Sequence, residues 1–237
     1  MLKAFKRHFN PWNKVYKHHQ VLSEQQRSLA GLSQYLGHPL PPLDIRLSEL
    51  EFVAFDFETT GVNAQSDFIL SIGMVPFTLN EIDAASASEI FINHAQFIKA
   101  ESAIINHITP KMLKDGVVIT QAMDNLFSEL AGKVPVVHGS CIERTFLDRF
   151  VQEHLGMKSF PCLWLDTIHI EKQFSYKGKT DSRSGFQLRD VRDRYLLPSY
   201  SEHSAAVDAL ATSELFTAQI KSLFKHQTPL LHQLLSS

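Results

Sequence analysis

Apolar positions along this chain follow two rhythms. At Phe52-Val53-Ala54-Phe55-Asp56-Phe57-Glu58-Thr59-Thr60-Gly61 a near-continuous apolar run ends in hydroxyl residues and a glycine, which reads as a buried strand entering a turn. Further runs at Phe68 to Thr78 and Ser86 to Asn93, divided by Thr60-Gly61 and Asn80 to Asp83, predict a three-stranded meander. Beyond it the spacing becomes helical. Thr109-Pro110 pairs a cap residue with proline at the first helical position, and Thr120 reads as the cap of a helix over Gln121 to Leu130. A short apolar strand follows at Val134 to Val137. Helices are predicted from about Cys141 to Leu155, near Leu163 to Lys172 and at Gln187 to Arg194. A last segment, rich in Ala and Leu, begins at His203 and keeps helical spacing through Phe216 and Ile220. Strands in meander followed by alternating helix and strand predict an α/β fold with helices covering the sheet.

Three regions are expected: a helical extension with a Pro-rich linker over 1–46, a main domain over 47–226 and a tail over 227–237. Residues 1–19 carry Lys3, Lys6, Arg7, Lys14 and Lys17 with no acid, interleaved with Phe5, Phe9, Trp12 and Tyr16. Such a mixture suits nucleic acid, through charge and stacking, or an anionic membrane surface. The patterning favours packing instead: Asn10-Pro11 starts a helix whose stripe, continued by Leu22, Leu29, Leu32 and Leu36, faces the main domain. Gly37-His38-Pro39-Leu40-Pro41-Pro42 ends that helix as a linker. In the tail, Leu230, Leu231, Leu234 and Leu235 would dock on the fold or on a partner.

Composition narrows the class. A formal net charge of −2 and 44% hydrophobic residues are those of an ordinary globule rather than a disordered or fibrous chain. No stretch is long and apolar enough to span a bilayer, and Met1-Leu2-Lys3 is not followed by a signal-peptide core, so a cytoplasmic protein without membrane insertion is expected. Cys141 and Cys162 lack zinc-site spacing and are expected as reduced thiols.

Asp56 and Glu58 change the picture most. On a strand, a step of two throws both carboxylates to one face, and the turn after them places both at the strand's C-terminal end, where open sheets commonly hold ligands. Two like charges buried side by side require something positive between them, and hard oxygen donors point to Mg²⁺ or Mn²⁺. Downstream, His203 and Asp208 stand five apart. On an ideal helix that step turns about 140°, so His203 is expected at the helix entrance rather than on the face of Asp208. An imidazole with its ordinary pKa near 6.5 is suited to take a proton from water near neutral pH. Between them, Glu143 falls in the first turns of the helix after His138-Gly139. Lys172 to Arg194 is a basic zone, with Lys177, Lys179, Arg183, Arg189 and Arg192 around the loop Tyr176 to Gly185; it reads either as a solvated loop or, from its place just before His203 and Asp208, as a guide for a phosphodiester strand.

In this order the three acidic motifs resemble those of the DEDDh family of 3′-5′ exonucleases, and most of all its proofreading epsilon branch from bacterial replicases, whose first motif also reads D-x-E-T-T-G. The resemblance runs from about Glu51 to Phe224 and includes Ile105-Asn106-His107-Ile108-Thr109. The middle motif departs from the family's H-N-x-x-x-D: here Gly139 follows His138, and Glu143 stands where aspartate is usual, with the same charge and one more methylene. The resemblance implies a ribonuclease-H-like mixed sheet of about five strands flanked by helices. It implies two ions of Mg²⁺ or Mn²⁺ held by Asp56, Glu58, Glu143 and Asp208, with His203 as general base and Thr59, Thr60, Gly61 and His107 contacting the terminal nucleotide. The implied substrate is the 3′ end of DNA, single-stranded or frayed, with nucleoside 5′-monophosphates released in proofreading or repair. A polymerase or other protein partner would then engage the N-terminal extension. An RNA-directed exonuclease of the same family and a nucleic-acid-binding module with weakened catalysis are the two alternatives, the second motivated by Glu143.

Overall fold

The structure, a computed structural model, describes residues 12–25, 28–97, 108–180, 185–200, 204–225 and 227–236. Its frame is a five-stranded sheet in the order β3-β2-β1-β4-β5. The central strand β1 (Phe52–Thr59) pairs antiparallel with β2 (Ile69–Phe77), which pairs antiparallel with β3 (Ser88–Phe91). On its other side β1 runs parallel to β4 (Val134–Val137), and β4 runs parallel to β5 (Leu165–Asp166). The expected meander and the mixed sheet are both present.

Because β1 is covered on both faces, its side chains sort by parity. Val53, Phe55 and Phe57 join a core with Met123, Leu126 and Phe127 of α4 (Ile119–Leu130) and Phe146, Leu147 and Phe150 of α5 (Cys141–Leu155). Phe52 and Ala54 join the opposite core with Phe216 and Ile220 of α9 (Ala205–Phe224), together with Leu231, Leu234 and Leu235 of the C-terminal segment. Asp56 and Glu58 continue the even series. They therefore point toward α9, and the period of two fixes which helix meets them.

Several element boundaries differ from the sequence expectation. Leu163 to Asp166 lies in the sheet region rather than in a helix: Leu165 and Asp166 pair with Val136 and Val137, and Asp166 then caps α6 (Thr167–Phe174) by accepting from Ile168 N at 2.8 Å. The apolar run Leu163-Trp164-Leu165 is buried throughout, and so short a run has no periodicity to separate strand from helix. Thr120 is not a cap. Val117 pairs with Ile92 and keeps the chain extended to Val118, so α4 begins at Ile119. Thr109 does cap α3 (Pro110–Lys114), accepting from Met112 N, with proline at the helix start. The basic stretch read as a loop contains α7 (Tyr176–Thr180) and is followed by α8 (Leu188–Arg194).

The N-terminal stripe forms two helices rather than one, α1 (Asn13–Ser23) and α2 (Ala30–Gly37), with Leu29 extended between them. Both pack inward. Leu32, Tyr35 and Leu36 are buried in the α4/α5 core, Asp124 of α4 accepts from Gly31 N at 2.6 Å, and the Tyr35 hydroxyl donates to Pro161 O at 2.8 Å. Trp12 and Tyr16 pack against the other core. No helix among the described residues is long and apolar enough to cross a membrane.

Candidate active site

Carboxylate oxygens of Asp56, Glu58 and Asp208 all lie within 4.8 Å of one another. Two come from the end of β1 and the third from the first turn of α9, where Asp208 N donates to Ser204 O at 2.9 Å. What lets the helix approach so closely is Gly73, opposite Asp56 on β2: a Cβ there would lie 1.9 Å from the carbonyl carbon of Ala205. The helix entrance rests on bare backbone.

Such a cluster is electrostatically strained without a cation. Burial first, then Asp208 and Glu89, pushes Asp56 up to about 8. Glu58, 8% exposed, is also pushed up to about 8, by burial and then by Asp56, Asp208 and Glu89. Glu143 stands in the first turn of α5, 3% exposed, and its pKa is raised well above the ordinary range by burial and then by the charge of Asp56. Its Oε2 is buried without a hydrogen-bond partner. Hard oxygen donors at this spacing, mutual repulsion and one orphaned carboxylate oxygen fit a divalent hard cation. The structure thus brings Asp56, Glu58 and Asp208 into one cluster and puts Glu143 within the field of Asp56, but outside the tight group of three.

The turn that carries Glu143 is fixed by a residue that sequence reasoning missed. Asp166 accepts from Gly139 N at 3.0 Å and Ser140 N at 2.8 Å, with Gly139 at a φ of 85°. His138 is wedged beside it, Nδ1 against Thr167 Oγ1 at 2.7 Å and Nε2 against Phe186 O at 2.9 Å, and burial lowers its pKa. It is a local hydrogen-bonding residue. Asp148 accepts from Phe160 N at 2.8 Å and is occupied away from the cluster. Glu89 on β3, whose charge raises both β1 acids, carried no signal in the sequence beyond an acid in a strand.

The turn after β1 is held internally. Thr60 N donates to Phe68 O, the Thr60 hydroxyl donates to Asp67 Oδ1 at 3.1 Å and accepts from Phe68 N, and the Thr59 hydroxyl donates to Gly61 O at 2.7 Å. A Cβ on Gly61 would meet the Asp67 carboxylate at 2.5 Å, so Asp67 and Gly61 shape the turn together. Thr60 is buried, and its hydroxyl serves the turn. His203 and His107 lie outside the described residues, as do Arg183 and the basic residues of 1–11.

The basic zone divides. Arg192, read as solvated or as guiding substrate, is buried instead: its guanidinium donates to Ala211 O at 2.6 Å, Pro198 O at 2.7 Å and Glu214 Oε2 at 2.9 Å, tying α8 to α9. Arg194 pairs with buried Glu171 at 3.1 Å. Arg189 is exposed and lines a small cleft with Tyr200 and Asp208, beside the cluster.

A family model for exonucleases matches residues 53–216, the span from β1 through most of α9 that contains every acid of the cluster. The chain belongs to the exonuclease family. Among its relatives, a DNA polymerase III subunit epsilon of Treponema pallidum is 30% identical over 169 residues, covering 71% of this chain and 76% of the relative. A PolC-type DNA polymerase III of Thermotoga maritima is 23% identical over 205 residues; the match covers 84% of this chain but only 14% of that polymerase. A crystal structure of a full-length 3′-exonuclease superposes with a TM-score of 0.61 at 15% identity, over 73% of this chain and 82% of the other. The mixed sheet flanked by helices is therefore the ribonuclease-H-like exonuclease fold, as the motifs implied.

Proposed function

We propose that this exonuclease is a divalent-metal-dependent 3′-5′ enzyme that trims DNA from single-stranded or frayed 3′ ends, releasing nucleoside 5′-monophosphates. The observation that carries the reading is the cluster of Asp56, Glu58 and Asp208, one buried and two half-buried acids whose carboxylate oxygens converge within 4.8 Å. Asp56, Glu58 and Asp208 would hold one Mg²⁺ or Mn²⁺, Asp56 would be shared with a second, and Glu143 would complete the set through water. When bound, the ions supply positive charge that eases deprotonation of the attacking water and stabilises the leaving 3′ oxygen.

The chain's own groups do the rest. His203, next in the chain to Ser204, takes the proton of the attacking water, a role to which an imidazole side chain is suited near neutral pH. The Thr59-Thr60-Gly61 turn, held rigid by Asp67, presents backbone groups to the terminal nucleotide, and His107 completes that contact. Arg189, exposed beside Asp208, attracts the phosphodiester chain. The polymerase III relatives favour DNA over RNA, proofreading or repair as the setting, the cytoplasm as the location, and a polymerase as the partner reached through residues 1–46. A second reading, a binding module with the fold and little turnover, is favoured by one observation: Glu143 lies outside the tight group of three.

The test is a time course on matched 5′-labelled DNA and RNA oligonucleotides with Mg²⁺, Mn²⁺ or EDTA, beside Asp56→Ala. The expected result is a metal-dependent ladder shortening from the 3′ end, faster on DNA and reduced at least about a thousandfold in the variant. Faster shortening of RNA would assign the enzyme to the RNA-directed branch. No ladder on either substrate, with a melting temperature raised by metal, would assign the binding module.

A further inference from the structure

Glu89 belongs to none of the three acidic motifs, yet it stands in line with the first. Across the sheet Asp56 of β1 is opposite Gly73 of β2, and Gly73 is opposite Glu89 of β3, so the three share one face in a single row. The bare middle position is the seat of α9 described above. Glu89, half-buried, closes the outer side of that seat.

Both of its oxygens are engaged. Oε1 accepts from Ser71 Oγ at 2.7 Å, and Oε2 accepts from Ser204 Oγ at 2.8 Å. Ser71 is fully buried on β2, opposite Glu58. Ser204 is the N-cap residue of α9, where a serine hydroxyl ordinarily accepts from a first-turn N–H. Here the Ser204 side chain makes no capping bond and gives its proton to Glu89 instead. The helix forgoes its usual cap for a tie to the sheet. Through its carbonyl, the same Ser204 receives Asp208 N, and through the chain it adjoins His203.

We propose that Glu89 is a positioning residue: a carboxylate clasp that, through Ser71 and Ser204, holds the entrance of α9 on Gly73 and so sets where Asp208 stands against Asp56 and Glu58. The inference rests on the reading of those three acids as the metal-holding cluster. The competing account is charge alone, since Glu89 also adds to the negative field at Asp56 and Glu58. An isostere separates them. Glutamine keeps a group that accepts from one serine and donates to the other, and removes the charge.

The experiment compares wild type, Glu89→Gln, Glu89→Ala, Ser204→Ala and the double alanine variant. It reads kcat and KM on a labelled oligonucleotide, the rise in melting temperature with Mn²⁺, and hydrogen–deuterium exchange over residues 205–216. The clasp predicts that Glu89→Gln keeps kcat within about threefold and leaves exchange as in wild type. Glu89→Ala and Ser204→Ala should each lower kcat about ten- to a hundredfold with KM nearly unchanged, and each should speed exchange at the start of α9. The double variant should lose no more than the worse single one, because both remove one tie. Glutamine falling as far as alanine, with the Mn²⁺ response lost and exchange unchanged, would overturn the clasp in favour of charge. Wild-type kcat and exchange in Ser204→Ala would overturn it as well. Exchange needs no turnover, so a wild type without nuclease activity would overturn the exonuclease reading and still leave the clasp decided.

Discussion

Asp56 and Glu58 are each pushed up to about 8, far above the ordinary carboxyl range, by burial and by the acids around them. A group that holds its proton more tightly in the fold than in the open chain adds stability while protonated. That contribution is full below about pH 4 and is lost as pH rises to about 8, because over this window the folded state binds more protons than the unfolded one. The metal-free protein should therefore melt several degrees lower near pH 8 than near pH 5, with a smaller difference in Asp56→Asn. Saturating Mg²⁺ should raise the melting temperature most at the alkaline end, where the carboxylates are already deprotonated. A metal-free melting temperature that is flat or rising over that range would contradict the buried cluster. At this scale the sequence was informative where a residue type was unexpected in its pattern: two acids inside an apolar strand announce themselves. Glu89 and Asp166 did not, since an acid in an edge strand or before a helix has an ordinary explanation. Arg192 misled because a buried arginine and a substrate-guiding one look alike in a basic run.

Secondary-structure elements transmit these residue effects through two tight spots. Gly73 seats α9, and Gly73→Ala should cost roughly 1–3 kcal/mol of stability by overpacking and lower kcat by about ten- to a hundredfold through displacement of Asp208. Urea melts and single-turnover rates would check both, and an unchanged kcat would show that the helix entrance is not what positions the acid. Leu196, just past α8, is the opposite case: it is 92% exposed and held at a φ of 56°, a left-handed conformation that favours glycine. Leu196→Gly should be neutral to stabilising by up to about 1 kcal/mol, seen as a higher urea midpoint; a marked loss would mean the side chain has a role in the fold. The strongly patterned elements were legible, β1, β2, β4, α5 and α9 among them. β5 was not, because a two-residue strand is defined by its partner β4 and not by its own residues. The break between α1 and α2 was hidden for the same kind of reason, since one hydrophobic stripe serves both.

Among the described residues, two main cores on either face of one sheet hold the fold together, and the segments flanking the main domain belong to them. Leu32, Tyr35 and Leu36 are buried against α4 and α5, while Leu231, Leu234 and Leu235 close the α9 side. A chain starting at residue 47 should thus lose on the order of 5 kcal/mol or more, since full burial of each large apolar side chain contributes about 1.5–3 kcal/mol. Thermal melting of that shortened chain would check this, and an unchanged melting temperature would make the extension a separable module. This frame brings together the three acids on which metal binding and cleavage rest. A calorimetric titration of Mn²⁺ into wild type and Asp208→Asn, followed by single-turnover cleavage of a 3′-ended DNA oligonucleotide by the same samples, tests that dependence. Saturable binding is expected in wild type and, in the variant, weakened binding with cleavage reduced at least about a thousandfold. Wild-type binding and cleavage in Asp208→Asn would contradict it.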